Sequence, residues 1–176
     1  MRNIITIAVF VFLIASCSGP ENKKTASKQN LQDSISVFEK ALFNPEVKKI
    51  NKNKVLKIIN FYTEYAERYP DDSLSPVYLF KASDVSMNLY RPTETIKILD
   101  TILIKYPDYE KTPTALFLKA FIYEDQVKNY DRARKYYQMF IDKYPDNEFA
   151  DDAQMSLDNL GKSPEELIKS FEKGQK

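Results

Sequence analysis

Two side chains near the end of the chain have the types and spacing of a nucleophile and its activating base. Ser170 and Lys173 form a Ser-x-x-Lys pair, in which a lysine amine is placed to activate a serine hydroxyl. The Ser-Asp-Asn and Lys-Thr-Gly segments that complete an active site of this kind are absent from the sequence. We therefore interpret the pair as a coincidence on the surface of the protein.

Acidic side chains offer a second possible chemistry, as a cation site or an acid–base pair. Glu148, Asp151 and Asp152 lie close together in the sequence. Adjacent residues on a helix point about 100° apart, so these carboxylates diverge, and a position in a first helical turn explains them through the helix dipole. The chain has no histidine, the usual general base near neutral pH and a common metal ligand. The sequence therefore predicts a protein that is not an enzyme and has no metal site and no cofactor.

The only cysteine, Cys17, ends a short apolar segment, MRNIITIAVFVFLIASC. Arg2 gives this segment a positive start, and the apolar stretch over 4–16 is too short to span a bilayer but suits a secretory signal. Its last four residues, Ile-Ala-Ser-Cys, resemble the lipobox of bacterial lipoproteins. The resemblance implies a signal peptide over 1–16 and a covalent lipid on Cys17. The alternative is a secretory signal with an incidental cysteine.

The residues that follow Cys17 predict a flexible and neutral start to the mature chain. Without Arg2 the formal net charge of +1 becomes zero, which argues against a nucleic-acid partner. Residues 18–30 are polar and lack periodicity, so we expect a flexible tether over 17–30. Five lysines in KKINKNKVLK are placed to contact anionic lipid headgroups near the anchor, although such a run is more often a solvated face.

Composition and apolar spacing predict a helical domain over 31–176. The chain has only three glycines but 12 tyrosines and 11 phenylalanines, a balance that favours packed helices over a turn-rich β fold. From Leu31 onward, apolar residues recur at steps of three and four. The helices are predicted at about 31–42, 53–68, 76–90, 94–105, 114–128, 132–143 and 147–160, with a C-terminal capping helix at about 164–173.

The triplet Tyr-Pro-Asp occurs three times and exposes an internal repeat. Its prolines, Pro70, Pro107 and Pro145, lie 37 and then 38 residues apart. Columns of apolar residues keep the same register, among them Tyr62, Leu99 and Tyr137, and Tyr65, Ile102 and Phe140. Because proline cannot continue a helix, each triplet is predicted to mark a repeat boundary, with its tyrosine packed between hairpins and its aspartate bonded to the following turn.

The starts of the predicted helices repeat as well. Ser75-Pro76 and Thr112-Pro113 are 37 residues apart, and each pair is expected to supply an N-cap hydroxyl followed by a proline at the first helical position. Ser163 and Glu166 have the spacing of a capping box, in which each side chain accepts a hydrogen bond from the other residue's backbone N–H.

The repeat resembles the tetratricopeptide repeat, a helix hairpin with an alanine in its first helix (Ala82, Ala120), an alanine and an aromatic in its second (Ala133, Tyr137), and a terminal proline. The tail KYPDNEFADDAQMSLDNLGKSPEEL is similar to tetratricopeptide lipoproteins of Gram-negative outer membranes. These include the lipoprotein subunit of the β-barrel assembly machinery and repeat proteins of the Tol-Pal system. The resemblance implies an all-α fold, a right-handed superhelical stack of antiparallel hairpins with about seven or eight helices, whose register is clearest over 53–160.

In this family, partners usually bind the concave groove formed by the first helix of each repeat. Taking Ala82 and Ala120 as equivalent positions predicts that the groove presents Ser83, Ser86, Met87, Phe121, Glu124 and Asp125. An exposed Phe121 is a peptide contact, whereas a closed stack would bury it. The tyrosines at repeating positions are predicted to pack in the core and between repeats, not to form a stacking platform for sugars or bases.

Together these features predict a lipid-anchored, non-catalytic scaffold that binds other envelope proteins or peptides. Ser18 after the cysteine favours the outer membrane, by analogy with enterobacterial lipoproteins, and we expect the periplasmic face. Outer-membrane protein assembly is one version of this function, and an adaptor of the Tol-Pal type is another. An enzyme or ligand receptor that uses carboxylates is a third alternative, which requires clustered, desolvated acids in a pocket.

Overall fold

Every element that the structure describes is an α-helix, as the apolar spacing predicts. The computed structural model describes residues 20–42, 44, 51–163, 165, 166, 168 and 169, and none of these lies in a strand. The helices are α1 (Pro20–Leu42), α2 (Lys52–Arg68), α3 (Leu74–Asn88), α4 (Pro92–Lys105), α5 (Thr112–Asp125), α6 (Tyr130–Lys143) and α7 (Ala150–Asn159). The described residues after Pro164 are helical too, within the predicted capping helix, whose other residues lie outside the described part of the chain.

The helices stack in sequence order, and each one packs against the next. One hydrophobic cluster extends from α1 to α5 and a second from α5 to α7. The predicted apolar columns lie in these clusters, since Tyr62, Leu99 and Tyr137 are fully buried at equivalent places in α2, α4 and α6. This repeated burial gives the layered arrangement of a helical-repeat solenoid, in which each hairpin covers the apolar face of its neighbour.

The Tyr-Pro-Asp triplets end α2, α4 and α6 with one shared backbone geometry. Tyr69, Tyr106 and Tyr144 follow directly after these helices, with φ of −131°, −130° and −133° and ψ of 57°, 56° and 56°. The proline that follows disfavours the helical region for each tyrosine and lacks the N–H needed for another helical turn. The hydroxyl of Tyr106 also donates to the carbonyl of Pro70 at 3.0 Å, so two successive boundaries are in contact.

The turns after the triplets differ from the predicted capping in two respects. Ser75 and Thr112 do not act as N-caps, because their hydroxyls donate backward to the carbonyls of Tyr69 at 2.6 Å and Tyr106 at 2.7 Å. The carboxylate that bonds the first turn belongs to Asp72, the residue after the triplet, which accepts from the backbone N–H of Leu74 at 2.9 Å. The predicted capping box is confirmed, with reciprocal hydrogen bonds of 2.8 and 3.2 Å between Ser163 and Glu166.

The first helix begins earlier than the sequence predicts. α1 starts at Pro20, so most of the segment expected to be a flexible tether is helical. Proline suits the first helical position, and polar contacts secure the part that lacks apolar residues. Lys28 forms an ion pair with Asp72, and Arg68 donates to the hydroxyl of Ser27. Apolar periodicity begins only at Leu31, which is why the periodicity alone does not reveal this start.

Candidate protein-binding groove

A groove with a volume of about 750 Å³ lies between α1 and α3. One wall is formed by Glu39 and Lys40, near the end of α1, and by Asn44, which follows the helix. Tyr62 of α2 also lines the groove. The facing wall is formed by four residues of α3, which are Lys81, Asp84, Val85 and Asn88. These positions recur at steps of three and four along α3, so one face of the helix lines the groove.

Glu39 joins the three helices that form this groove. One of its carboxylate oxygens accepts from the hydroxyl of Tyr62 at 2.8 Å and from the ammonium of Lys81 at 2.7 Å. Burial, together with this hydrogen bond to Glu39, raises the pKa of Tyr62 far above its ordinary value, so the phenol stays protonated. Glu39 is therefore already engaged in holding α1 against α2 and α3.

Asp84 is the second carboxylate of the groove, and its surroundings differ from those of Glu39. It is half-buried on α3 and forms no ion pair with any residue in the described part of the chain. Burial raises the pKa of Asp84, and the charge of Lys111 offsets this effect only in part. The groove therefore contains a carboxylate whose charge is poorly compensated. A pair of free acids for acid–base chemistry is not formed, because Glu39 is occupied.

The predicted alignment of α3 with α5 was wrong by one residue. Ser75 and Thr112, 37 residues apart, are both buried, and this spacing makes Ser83 equivalent to the fully buried Ala120. Ser83 is buried and donates to the carbonyl of Phe80 at 2.7 Å. Ser86 is buried as well and accepts from the hydroxyl of Thr95 at 2.9 Å. Neither serine can contact a partner in the groove, contrary to the prediction.

With the corrected register, two of the three positions predicted on α5 have equivalents on α3 that line the groove, Asp84 and Asn88. Phe121 corresponds to Asp84, Glu124 to Met87 and Asp125 to Asn88. Asp84 and Asn88 therefore take the place of the two serines as candidate partner contacts. The sequence contained the signal for this register, because the Ser75-Pro76 and Thr112-Pro113 pairs have a spacing of 37 and the alanines a spacing of 38.

The remaining predicted groove residues lie at or near the surface. Phe121 is 37% exposed, so the stack does not bury it. Glu124 accepts from the hydroxyl of Tyr137 at 2.7 Å, which repeats on α5 the link that Glu39 makes to Tyr62 on α1. Asp125 lies 3.6 Å from the ammonium of Lys128, and Met87 is partly buried with its carbonyl bonded to Gln126 of the next hairpin. Phe121 and Asp125 are therefore accessible, whereas Glu124 is engaged within its hairpin.

A buried lysine holds the next interface of the stack. Lys119 is only 5% exposed, pairs with Asp100 of α4, and lies 3.9 Å from the ring centre of Tyr136 on α6. Burial alone would lower the pKa of Lys119, but Asp100 and Tyr136 raise it overall. Lys119 occupies the position of Ala82 in the preceding repeat, and its partners show that it acts as a structural ion pair.

The other residues singled out for chemistry do not converge on a site. Glu148, Asp151 and Asp152 are exposed, and the two aspartates lie in the first turn of α7. No group of three or more acidic, cysteine or histidine side chains that could hold a metal ion occurs among the described residues. Ser170 and Lys173 lie outside those residues. Lys52, Lys54 and Lys57 are exposed on α2, and Lys57 lies over the rings of Phe38 and Phe61.

Cys17 and its apolar segment also lie outside the described residues. Within the part of the chain that the structure describes, no helix is both long and apolar enough to cross a membrane.

The α5–α6 hairpin corresponds to a known repeat family. A tetratricopeptide-repeat family model matches residues 114–147, which extend from the start of α5 to the third Tyr-Pro-Asp turn. The chain carries a tetratricopeptide repeat. Tetratricopeptide repeats generally mediate protein–protein interactions and are typically non-catalytic, and the all-helical stack agrees with a solenoid of such repeats. Comparisons with curated proteins and with solved structures gave no match.

Proposed function

We propose that this protein is a lipid-anchored, non-catalytic scaffold of the bacterial cell envelope whose groove binds other envelope proteins or peptides. The observation that carries the binding part of the proposal is the open groove between α1 and α3, on a stack that contains a tetratricopeptide repeat. Solenoids suit such work because each hairpin adds surface to an extended groove while the stack keeps a continuous core.

The sequence around Cys17 supports the anchor, because it has an aliphatic residue and two small residues directly before the only cysteine. α1 begins at Pro20, so only Ser18 and Gly19 separate the proposed lipid site from the folded stack. An extended chain of this length reaches about 10 Å. A lipid on Cys17 would therefore hold the solenoid close to the bilayer. We propose no other role for this cysteine and no cofactor.

Metabolic labelling with a palmitate analogue tests the anchor. We expect the wild-type chain to incorporate the label and Cys17→Ala to lose it, since the thiol is the proposed attachment point. Ser18→Ala serves as the matched control, because it changes the neighbouring residue and leaves the cysteine in place. Equal labelling of the Cys17→Ala variant would refute lipid attachment at this residue.

Affinity purification from mild detergent tests whether the scaffold serves outer-membrane protein assembly or a Tol-Pal type of envelope maintenance. Outer-membrane protein assembly predicts co-purification of a barrel-assembly protein. Tol-Pal or peptidoglycan-linked partners would instead assign the scaffold to envelope maintenance. In both cases we place the protein at the outer membrane, because Ser18 rather than an aspartate follows the cysteine, and on its periplasmic face, because no acidic run follows Ser18. Fractionation into the cytoplasmic membrane would contradict this placement.

A further inference from the structure

The first hairpin of the stack differs in charge from the part of the chain that follows it. Residues 20–68, which contain α1 and α2, have ten basic and six acidic side chains, whereas residues 69–176 have 15 basic and 19 acidic ones. The first hairpin therefore has a net charge of +4, and the rest of the chain has a net charge of −4. A protein whose two ends differ in charge in this way has a preferred orientation in front of a negatively charged surface.

Two aromatic rings and a lysine meet on one side of this hairpin. The rings of Phe38 on α1 and Phe61 on α2 are 5.2 Å apart, edge to face, and the ammonium of Lys57 lies 5.2 and 5.6 Å from their centres. Val37, next to Phe38 in the sequence, is 64% exposed, and Lys54 is exposed one turn before Lys57. We call these five residues the end face.

The end face is the outer surface of the first hairpin. Tyr62 stacks on Tyr78 of α3 with 5.4 Å between the ring centres, which identifies the side of α2 that meets the rest of the stack. Lys57 comes five positions before Tyr62, which corresponds to a rotation of about 140° around the helix. Because the described helices pack in sequence order, this side of the hairpin points away from the later repeats.

From these features we propose that the end face lies on the surface of an anionic phospholipid bilayer, as a second attachment in addition to the lipid on Cys17. The lysines pair with the phosphates of the headgroups, while Val37 and the exposed edges of the two rings enter the boundary between headgroups and acyl chains. This inference rests on the proposed anchor and specifies how the solenoid is oriented on the membrane that holds it.

The lysines of this hairpin are available to bind lipid headgroups. Lys52, Lys54 and Lys57 are exposed and form no ion pair with any residue that the structure describes. Each lysine close to an anionic membrane strengthens binding about fivefold. A lysine beside aromatic rings suits this position, because its apolar stem lies on the rings while its ammonium reaches the headgroups.

The length of α1 allows the anchor and the end face to reach the same bilayer. Cys17 is joined to Pro20 by about 10 Å of chain, and Phe38 lies 18 residues further on, about 27 Å along the helix. The anchor is therefore at one end of α1 and the end face is near the other. Two attachments so far apart would lay α1 along the membrane and direct the acidic later hairpins away from it.

A tryptophan introduced at one position tests which part of the surface enters the bilayer, because the chain has no tryptophan of its own. The full-length lipidated protein is reconstituted in phosphatidylcholine vesicles with or without phosphatidylglycerol, and quenching by brominated acyl chains measures contact with lipid. We expect strong quenching for Val37→Trp when phosphatidylglycerol is present and weaker quenching when it is absent. Ile104→Trp, on α4 at a residue that is 77% exposed, is the matched control and should not be quenched.

Charge reversal tests the role of the lysines. The combined changes Lys52→Glu and Lys54→Glu place acids in the first turn of α2, where the helix dipole favours them, so the fold is retained. Quenching at position 37 should fall to the level seen without phosphatidylglycerol, because the vesicle surface now repels the hairpin. Lys97→Glu with Lys135→Glu makes the same change in charge at exposed positions of α4 and α6, and should leave the quenching unchanged.

The outcomes separate the end face from the anchor. Equal quenching of Val37→Trp and Ile104→Trp, or quenching at position 37 that is independent of phosphatidylglycerol and of the α2 lysines, would overturn the proposed orientation. A chain that incorporates the palmitate analogue and floats with the vesicles, but is not quenched at position 37, refutes the end face alone and leaves the anchored scaffold intact. A chain that neither incorporates the label nor floats with the vesicles refutes both.

Discussion

One residue in the turn after each of α3, α5 and α7 has the left-handed backbone conformation. Tyr90 and Lys128 each have a φ of 56°, and Gly161 has a φ of 78°. Glycine adopts this conformation without the steric cost that a Cβ atom adds. Lys128 lies within the range predicted as helix, 114–128, and its positive φ is incompatible with a continued helix, so α5 ends before it, at Asp125.

We expect Lys128→Gly to stabilise the protein by about 1 kcal/mol, because glycine relieves the cost of a positive φ. Thermal unfolding followed by circular dichroism should show an increase in Tm of about 2–4 °C for a chain of this size. Lys128→Ala is the matched control, since it removes the same charge but keeps the Cβ atom. Equal stabilisation by both variants would attribute the effect to charge and contradict the backbone explanation.

Among the structural elements, two of the three turns that follow a Tyr-Pro-Asp triplet contain a hydroxyl hydrogen bond that the third turn lacks. Ser75 and Thr112 donate to the tyrosine carbonyl six residues earlier, whereas Ala150 occupies the equivalent position in the third turn. The backbone hydrogen bond from the N–H three residues after each tyrosine is present in all three turns, at 3.0 to 3.1 Å. The hydroxyl therefore adds to a turn that the backbone already defines.

Ser75→Ala should reduce the free energy of unfolding by about 1–2 kcal/mol, because the buried carbonyl of Tyr69 loses one of its donors. Chemical denaturation provides the measurement, with the exposed Ser73, whose side chain makes no capping hydrogen bond, as the Ser73→Ala control. Ala150→Ser should have the opposite sign if its hydroxyl reaches Tyr144. A loss from Ser75→Ala no larger than that from Ser73→Ala would contradict this account.

The ion pair that secures α1 predicts a dependence of stability on pH. Burial acts to raise the pKa of Asp72, but Lys28 and the backbone N–H of Leu74 lower it overall. A carboxyl whose pKa is lowered in the folded state stabilises the fold above about pH 4, and this contribution is lost as the pH falls through the folded-state pKa. Acidification should therefore weaken the attachment of α1 to the first turn.

Lys28→Met should reduce the loss of stability on acidification, because the pKa of Asp72 moves back toward its ordinary value. Tm measured between neutral and acidic pH should show a shallower decrease for this variant than for Lys54→Met, which removes an exposed lysine at the start of α2. The same pH dependence in both variants would show that Lys28 does not set the pKa of Asp72.

The elements that sequence reasoning predicted correctly are those with local causes. Proline at each triplet ends a helix by its own chemistry, and the columns through Tyr62 and Tyr65 repeat because each hairpin must bury the same face. The start of α1 was not predicted because its polar first part is held by an ion pair between Lys28 and Asp72, and Asp72 is distant in the sequence. The groove register was missed because small residues occur at adjacent buried positions, Ala82 and Ser83, so an alanine match alone misaligns the helices.

At the scale of the whole molecule, the stack combines a continuous buried core with an open groove on one side. Fully buried residues in α2, α4 and α6 link the repeats, while Asp84, Asn88 and Phe121 remain accessible on the first helices. Stacked repeats of this kind combine a core shared between neighbours with an extended surface for binding. Binding specificity can then change without loss of the fold.

Site-specific photo-crosslinking in the native envelope tests whether the groove between α1 and α3 binds a partner protein. A photo-reactive amino acid replaces Asn88, which lines the groove, or Ile104, which is exposed on α4. We expect a discrete crosslinked envelope protein from position 88, none from position 104, and loss of the product when Asp84→Asn is added. No product at position 88, or the same product at both positions, would contradict a scaffold that binds its partner through this groove.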